Sequence, residues 1–222
     1  MCGRFTLTAR AEDVADQFGL PAVPALAPRY NIAPTQSVPA VRARVELLGR
    51  ELVFARWGLI PAWASDPAIG ARMINARAET VAEKPAYRSA FARRRCLVPA
   101  DGFYEWRAVA GKKQPVCFRS RDGRPFAFAV LWEQWAAPSG EVLSSCAILT
   151  TQANELVRPI HERMPVIVAP HHYDVWLGTQ AASSEALRGL LRPWLGEMTA
   201  TFVSMHVNNP RHDDERCLAP PP

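Results

Sequence analysis

Apolar residues in this chain recur mostly in short runs with a spacing of two, the period of a half-buried strand. Val41-Ala43-Val45-Leu47 and Leu52-Phe54 alternate in this way and predict a β-hairpin joined around Gly49-Arg50. Further strands are predicted at 96–98, 115–118, 126–132, 146–150 and 166–168, with a last one at 201–207. The helical period is rarer. Thr8 is placed to cap a helix whose apolar face is Ala11, Val14, Ala15 and Phe18, stopped by Gly19. Residues 79–95 read as two helical pieces, with Thr80-x-x-Glu83 as a capping box and Pro85 at the second start. Two more helices are predicted near 172–177 and 184–194. Strands outnumber helices and do not alternate with them. The pattern predicts an α+β fold with a mainly antiparallel, β-barrel-like core and peripheral helices.

Neither an internal repeat nor a linker divides the 222 residues, so one domain over 2–218 is expected, with 219–222 as a disordered tail. An apolar content of 49% against 21% charged residues supplies a core. The formal charge of +5 permits a polyanionic partner without requiring one. The five cysteines are odd in number and form no C-x-x-C pair, and no secretory signal precedes them. That argues against a disulfide framework or thiolate zinc site and for a reducing cytoplasm. No apolar run approaches the ~18 residues of a membrane span, so no membrane partner is expected. His171-His172 and His206 lack partners at a metal-ligand spacing and read as surface or packing residues; no metal or cofactor is expected. Neither a Gly-rich phosphate loop nor a G-x-S-x-G elbow occurs.

Cys2 carries the most chemistry. Initiator methionine is generally removed before a small residue, which would leave a primary amine and a thiol on adjacent carbons. An α-amino group titrates near 7.7–8.0, so roughly a tenth is nucleophilic at neutral pH. With an aldehyde, such a 1,2-aminothiol forms an imine that the thiol closes into a thiazolidine, a long-lived adduct. The same residue could instead serve an amidohydrolase, the thiol attacking an acyl carbon with the amine as base, or be an incidental small residue at a frayed end. Glu105, in Phe103-Tyr104-Glu105-Trp106, fits either a carboxyl raised into general-acid range by burial or an outward residue on an alternating strand. Asn75 and Arg77 stand out in the apolar setting of 74–79, and His161 precedes an apolar strand, where a structural loop histidine is the competing reading.

Taken in order, several stretches resemble the SRAP (SOS response-associated peptidase) family. They are Met1-Cys2-Gly3-Arg4-Phe5, Arg29-Tyr30-Asn31-Ile32-Ala33-Pro34, residues 56–63, residues 74–80, residues 96–106, His161-Glu162-Arg163-Met164-Pro165 and Val207-Asn208-Asn209-Pro210. Members of that family crosslink to abasic sites in single-stranded DNA. The resemblance implies that Cys2, Asn75, Glu105 and His161 are catalytic. It also implies a positively charged groove that bends single-stranded DNA and brings an abasic sugar to Cys2. Arg4 and Arg77 are the candidate phosphate contacts; Asn31, Pro34, Trp63 and Thr150 are expected to line the path, where a flat ring can stack on a base without reading it. A monomer is expected, nucleoid-associated if the source is bacterial. The rival readings are an N-terminal-nucleophile peptidase, as the family name suggests, and a non-covalent nucleic-acid binding module.

Overall fold

The computed structural model describes residues 2–44, 49–109 and 111–222. Phe126–Ala136 (β9) and Val142–Gln152 (β10) are the longest strands among the described residues, and they pair antiparallel from Val142↔Ala136 to Ile148↔Val130. With Ser37–Arg44 (β3), Gly49–Trp57 (β4) and Arg95–Ala100 (β6) they close a five-stranded barrel in the order β10-β4-β3-β6-β9 and back to β10. The β4–β10 seam is parallel. Closure removes sheet edges, and near-continuous burial of β9 and β10 follows from their facing the core.

A second sheet lies beside the barrel. It consists of Phe5–Leu7 (β1), Arg29–Ile32 (β2), Gly102–Val109 (β7), Lys112–Ser120 (β8) and Met198–Phe202 (β13), in the order β13-β8-β7-β1-β2. Phe5 fastens this sheet to the barrel. Fully buried, it packs edge-on against Trp57 and Phe128 with ring centroids 5.3 and 5.6 Å apart. A buried Asp101, at the corner between β6 and β7, accepts from Thr6 Oγ1 at 2.5 Å and from Thr8 N and Oγ1 at 2.7 and 2.6 Å. Three short strands complete the fold: Asn75–Arg77 (β5) runs parallel to β10, while Arg163–Pro165 (β11) and Ile167–Val168 (β12) are antiparallel to β10 and β9. The α+β architecture with a barrel-like core matches the sequence pattern.

Several elements differ locally. Gly49 and Arg50, predicted at the hairpin turn, belong to β4 and pair with Arg44 and Ala43. Val45 and Leu47, predicted in the first strand, lie outside the described residues. The first helix, Ala11–Phe18 (α1), ends on Gly19 in the left-handed conformation at φ 60°, as expected. Its N-cap is Arg10, because Thr8 is committed to Asp101. Within 79–95 only Arg88–Arg93 (α2) is helical; Thr80 and Glu83 close a turn through Glu83 N–H to the Thr80 carbonyl at 3.1 Å. Tyr173–Leu177 (α3) and Ser184–Gly189 (α4) follow, the latter ending well before Trp194. The last strand ends at Phe202, and Met205–Asn208 forms a 3-10 turn capped by Ser204, whose hydroxyl takes the His206 N–H. The Ala219 carbonyl, assigned to the terminal tail, accepts from Ser204 N at 2.8 Å.

Candidate active site and nucleic-acid interface

Pairing of β1 with β7 builds the site. Phe5 opposes Phe103 and Tyr104 N–H donates to the Arg4 carbonyl at 3.0 Å, so the same register carries Glu105 to the start of the chain. Cys2 is fully buried there. Its carbonyl accepts from Asn75 Nδ2 at 2.8 Å, a bond that β5 delivers by lying in register beside β10, Asn75 opposite Ile148. The other end of this amide, Oδ1, is buried and meets no hydrogen-bond partner among the described residues. A buried carbonyl oxygen left open in this way is costly unless a ligand or a neighbouring donor completes it.

Glu105 is 3% exposed, and burial pushes its carboxyl up to about 7. Burial also raises the Cys2 thiol well above its ordinary value, reinforced by the negative charge of Glu105. His161 is half-buried at the start of β11. Its Nδ1 lies 2.9 Å from the Arg163 backbone nitrogen and 3.1 Å from the Arg163 carbonyl oxygen; with the ring proton on Nδ1 and donated to that carbonyl, Nε2 keeps a lone pair. Burial lowers its pKa, favouring that neutral form.

Arg4, Glu105 and His161 line one open cleft of about 560 Å³, together with Trp106, Lys113 and Asn208. The structure thus brings together three of the predicted residues, with Asn75 attached through Cys2. Arg4 is half-buried beneath Trp106, 5.9 Å from the ring centroid, and donates to Asn31 Oδ1 at 2.8 Å and the Val207 carbonyl at 2.9 Å. Asn31 and Thr150 do not line the surface. Asn31 is wholly buried, its Nδ2 shared among the carbonyls of Val207, Asn209 and His212, so it acts as a support under Arg4. Thr150 is wholly buried in β10 beside Arg77, where its carbonyl and hydroxyl take the Arg163 guanidinium. That guanidinium is also held by both oxygens of Glu79 at 2.9 Å.

Arg77 is exposed at the end of β5. Trp63 is 66% exposed and walls a separate hollow with Asp66 and Arg72. The loop that presents it needs two glycines: a Cβ on Gly58 would fall 2.5 Å from the Gly70 carbonyl oxygen, and one on Gly70 would fall 2.6 Å from that of Gly58. Pro34 is half-exposed and precedes Thr35, whose φ of 70° is uncommon for a β-branched residue.

Trp106, Lys113 and Asn208 were not singled out from the sequence. Trp106 and Asn208 sit inside the quoted motifs and join through Trp106 Nε1–H to Asn208 Oδ1 at 2.7 Å. Lys113 gave no signal but its charge; the β7–β8 pairing, which sets it opposite Ala108, carries it to the cleft.

Residues 1–210 match the family described as SOS response associated peptidase (SRAP). The chain belongs to the SRAP family. Among SRAP relatives, the abasic site processing protein YoaM of Bacillus subtilis is 42% identical over 225 residues, covering 98% of this chain and 97% of YoaM. The abasic site processing protein HMCES of Mus musculus is 32% identical over 231 residues, covering 87% of this chain and 65% of HMCES. The fold is shared with a crystal structure of a Bacteroides thetaiotaomicron protein at a TM-score of 0.88 and 26% identity, covering 99% of both chains. A Bordetella bronchiseptica structure gives a TM-score of 0.80 at 28% identity, covering 92% of this chain and 100% of that one. None of the helices among the described residues of this SRAP chain is long and apolar enough to cross a membrane.

Proposed function

We propose that this protein processes abasic sites in single-stranded DNA as a monomer, capturing the lesion aldehyde covalently on Cys2 once Met1 has been removed. The observation that carries the reading is the Asn75 amide. Its Nδ2 holds the Cys2 carbonyl, while its buried Oδ1 stays open to accept an N–H from an α-amine on Cys2. A purely non-covalent binder has no use for an amine fixed in this way. The relatives' names, which speak of abasic site processing, point to the same lesion.

The chemistry balances without a cofactor. The amine adds to the C1 aldehyde of the opened deoxyribose to give a carbinolamine, which loses its hydroxyl as water and becomes an imine. The Cys2 sulfur then adds to the imine carbon, and the thiol proton ends on nitrogen. Glu105, poised at about 7, gives the proton that expels water and takes it back in reverse. His161, held neutral, is the base for the sugar hydroxyl during ring opening. Arg4, Lys113 and Arg77 supply positive charge for phosphates, and exposed Trp63 is a stacking surface for a base.

Intact mass after incubation with an abasic single-stranded oligonucleotide tests this. The parent is expected to begin at Cys2 and gain one oligonucleotide less one water. A Cys2→Ala variant that forms the adduct equally well refutes capture by the aminothiol. Binding without any covalent mass in the parent assigns the protein to the non-covalent class.

A further inference from the structure

Near the C-terminal end of the described residues, the chain folds back on itself between two 3-10 turns, Met205–Asn208 and Glu215–Cys217. His206, Asp214 and Cys217 converge there, with one ligand atom of each within 4.8 Å of the others. The His206 Nε2 to Asp214 Oδ2 distance is 3.2 Å. Tetrahedral zinc, with bonds of ~2.0–2.1 Å to nitrogen and oxygen, sets such a pair about 3.4 Å apart and nitrogen from sulfur about 3.6 Å. The imidazole and carboxylate therefore already stand at the spacing a bound ion needs, and the sulfur has at most about 1 Å to close.

We propose that His206, Asp214 and Cys217 form a binding site for a zinc-class divalent cation that clips the C-terminal segment in place. A neutral imidazole, a carboxylate and a thiolate together neutralise a doubly charged ion, and the mixed N/O/S donor set suits zinc over magnesium or calcium. Cys217 enters by losing its thiol proton to solvent, giving up its contact to the His212 carbonyl at 3.6 Å. Asp214 has two oxygens to divide: Oδ1 keeps the Arg216 backbone N–H and Nε at 3.0 Å, while Oδ2 turns to the ion by giving up the Arg216 Nη2 that it holds at 2.9 Å. The His212 ring, stacked on His206 at 3.8 Å, fixes the plane of that imidazole. What the ion would hold is functional. Val207, between its ligands, accepts from Arg4, and Asn208 anchors Trp106 in the cleft.

The test is titration of chelator-stripped protein with Co²⁺, read by absorbance. One equivalent is expected to give intense tetrahedral d–d bands and a sulfur-to-cobalt charge-transfer band, both removed by Zn²⁺. These features are expected to survive in Cys2→Ala and to vanish in Cys217→Ser and in His206→Gln. X-ray absorption of the zinc-loaded parent, which needs no variant, is expected to show one sulfur at ~2.3 Å with lighter ligands at ~2.0–2.1 Å. A hundredfold excess of Zn²⁺ over Kd is expected to raise the parent Tm by about 5–10 °C. Absence of a thiolate band in the parent, or a band lost in Cys2→Ala but kept in Cys217→Ser, overturns the proposal.

Discussion

Replacing Glu105 with Gln is expected to make the protein more stable and nearly inactive at the same time. Glu105 is 3% exposed, and burial displaces its carboxyl from 4.5 to about 7. At about 1.4 kcal/mol per pH unit, holding this residue ionised inside the fold costs about 3 kcal/mol. Below pH 4.5 the carboxyl is protonated in both folded and unfolded chains, and the stabilising effect of its raised pKa is complete. Between 4.5 and about 7 the folded protein binds the extra proton, so stability falls as pH rises and levels off above 7. Glutamine has the same shape and no charge to lose, which removes this slope. Urea unfolding of parent and Glu105→Gln, with the same N-terminus in both, is to be followed from pH 4.5 to 8. The two proteins are expected to be close at the acid end and to diverge until the variant leads by about 3 kcal/mol at pH 8. For a domain of this size that gap is about 6–12 °C in Tm. Crosslinking by the variant is expected to slow by about 10²–10⁴. Stability curves that stay parallel over the whole range would refute the buried, proton-holding role assigned to Glu105.

His161→Ala is expected to bind undamaged single strands like the parent but to crosslink more slowly, and to release a preformed adduct more slowly still. Trapping released protein on excess fresh abasic oligonucleotide measures this, and exchange as fast as the parent's would return His161 to a structural role. Arg77→Ala is expected to weaken binding to undamaged single strands and to reduce the log–log salt slope by ~0.7, the value for one phosphate contact; an unchanged slope removes Arg77 from the path. Asn31→Ala deletes an amide that serves three carbonyls and Arg4, and is expected to cost about 2–4 kcal/mol in denaturant unfolding. A cost within ~0.5 kcal/mol, as for an ordinary surface change, would contradict its supporting position.

The barrel was legible because β9 is apolar almost throughout, β10 carries the apolar run Cys146 to Leu149 and β3 alternates, and such patterns depend on which face is buried. Details set by side-chain competition were not. Thr8 has the chemistry of a helix cap, yet a buried carboxylate 93 residues away claims it. Thr80 and Glu83 meet through a backbone turn, Glu83 N–H to the Thr80 carbonyl, and not as the cap of a helix; the turn is too short to propagate. At the candidate site, Cys2 and Glu105 stand out as candidates from their own chemistry and neighbours, but whether Glu105 faces inward or outward is settled only by the strand register that buries it. Asn31 could be noticed but not assigned correctly, because its surroundings come from residues 207–212, far away in sequence. Lys113 illustrates the opposite limit: only strand register decides which of many exposed cations faces the cleft.

The bond from Arg4 to the Val207 carbonyl joins residues 203 positions apart. Translation delivers Arg4 first and Val207 only 203 residues later. At about 5–20 residues per second, the interval is roughly 10–40 s. Throughout that time the growing chain carries Cys2 without the strap that fixes Arg4 and, for the first stretch, without Asn75 or Glu105. A polypeptide cut short before residue 207 holds the same amine and thiol but no Val207 anchor for Arg4. The fold therefore couples assembly of the Arg4 support to synthesis of Val207, so products that stall or are truncated before it lack part of the scaffold around the cleft.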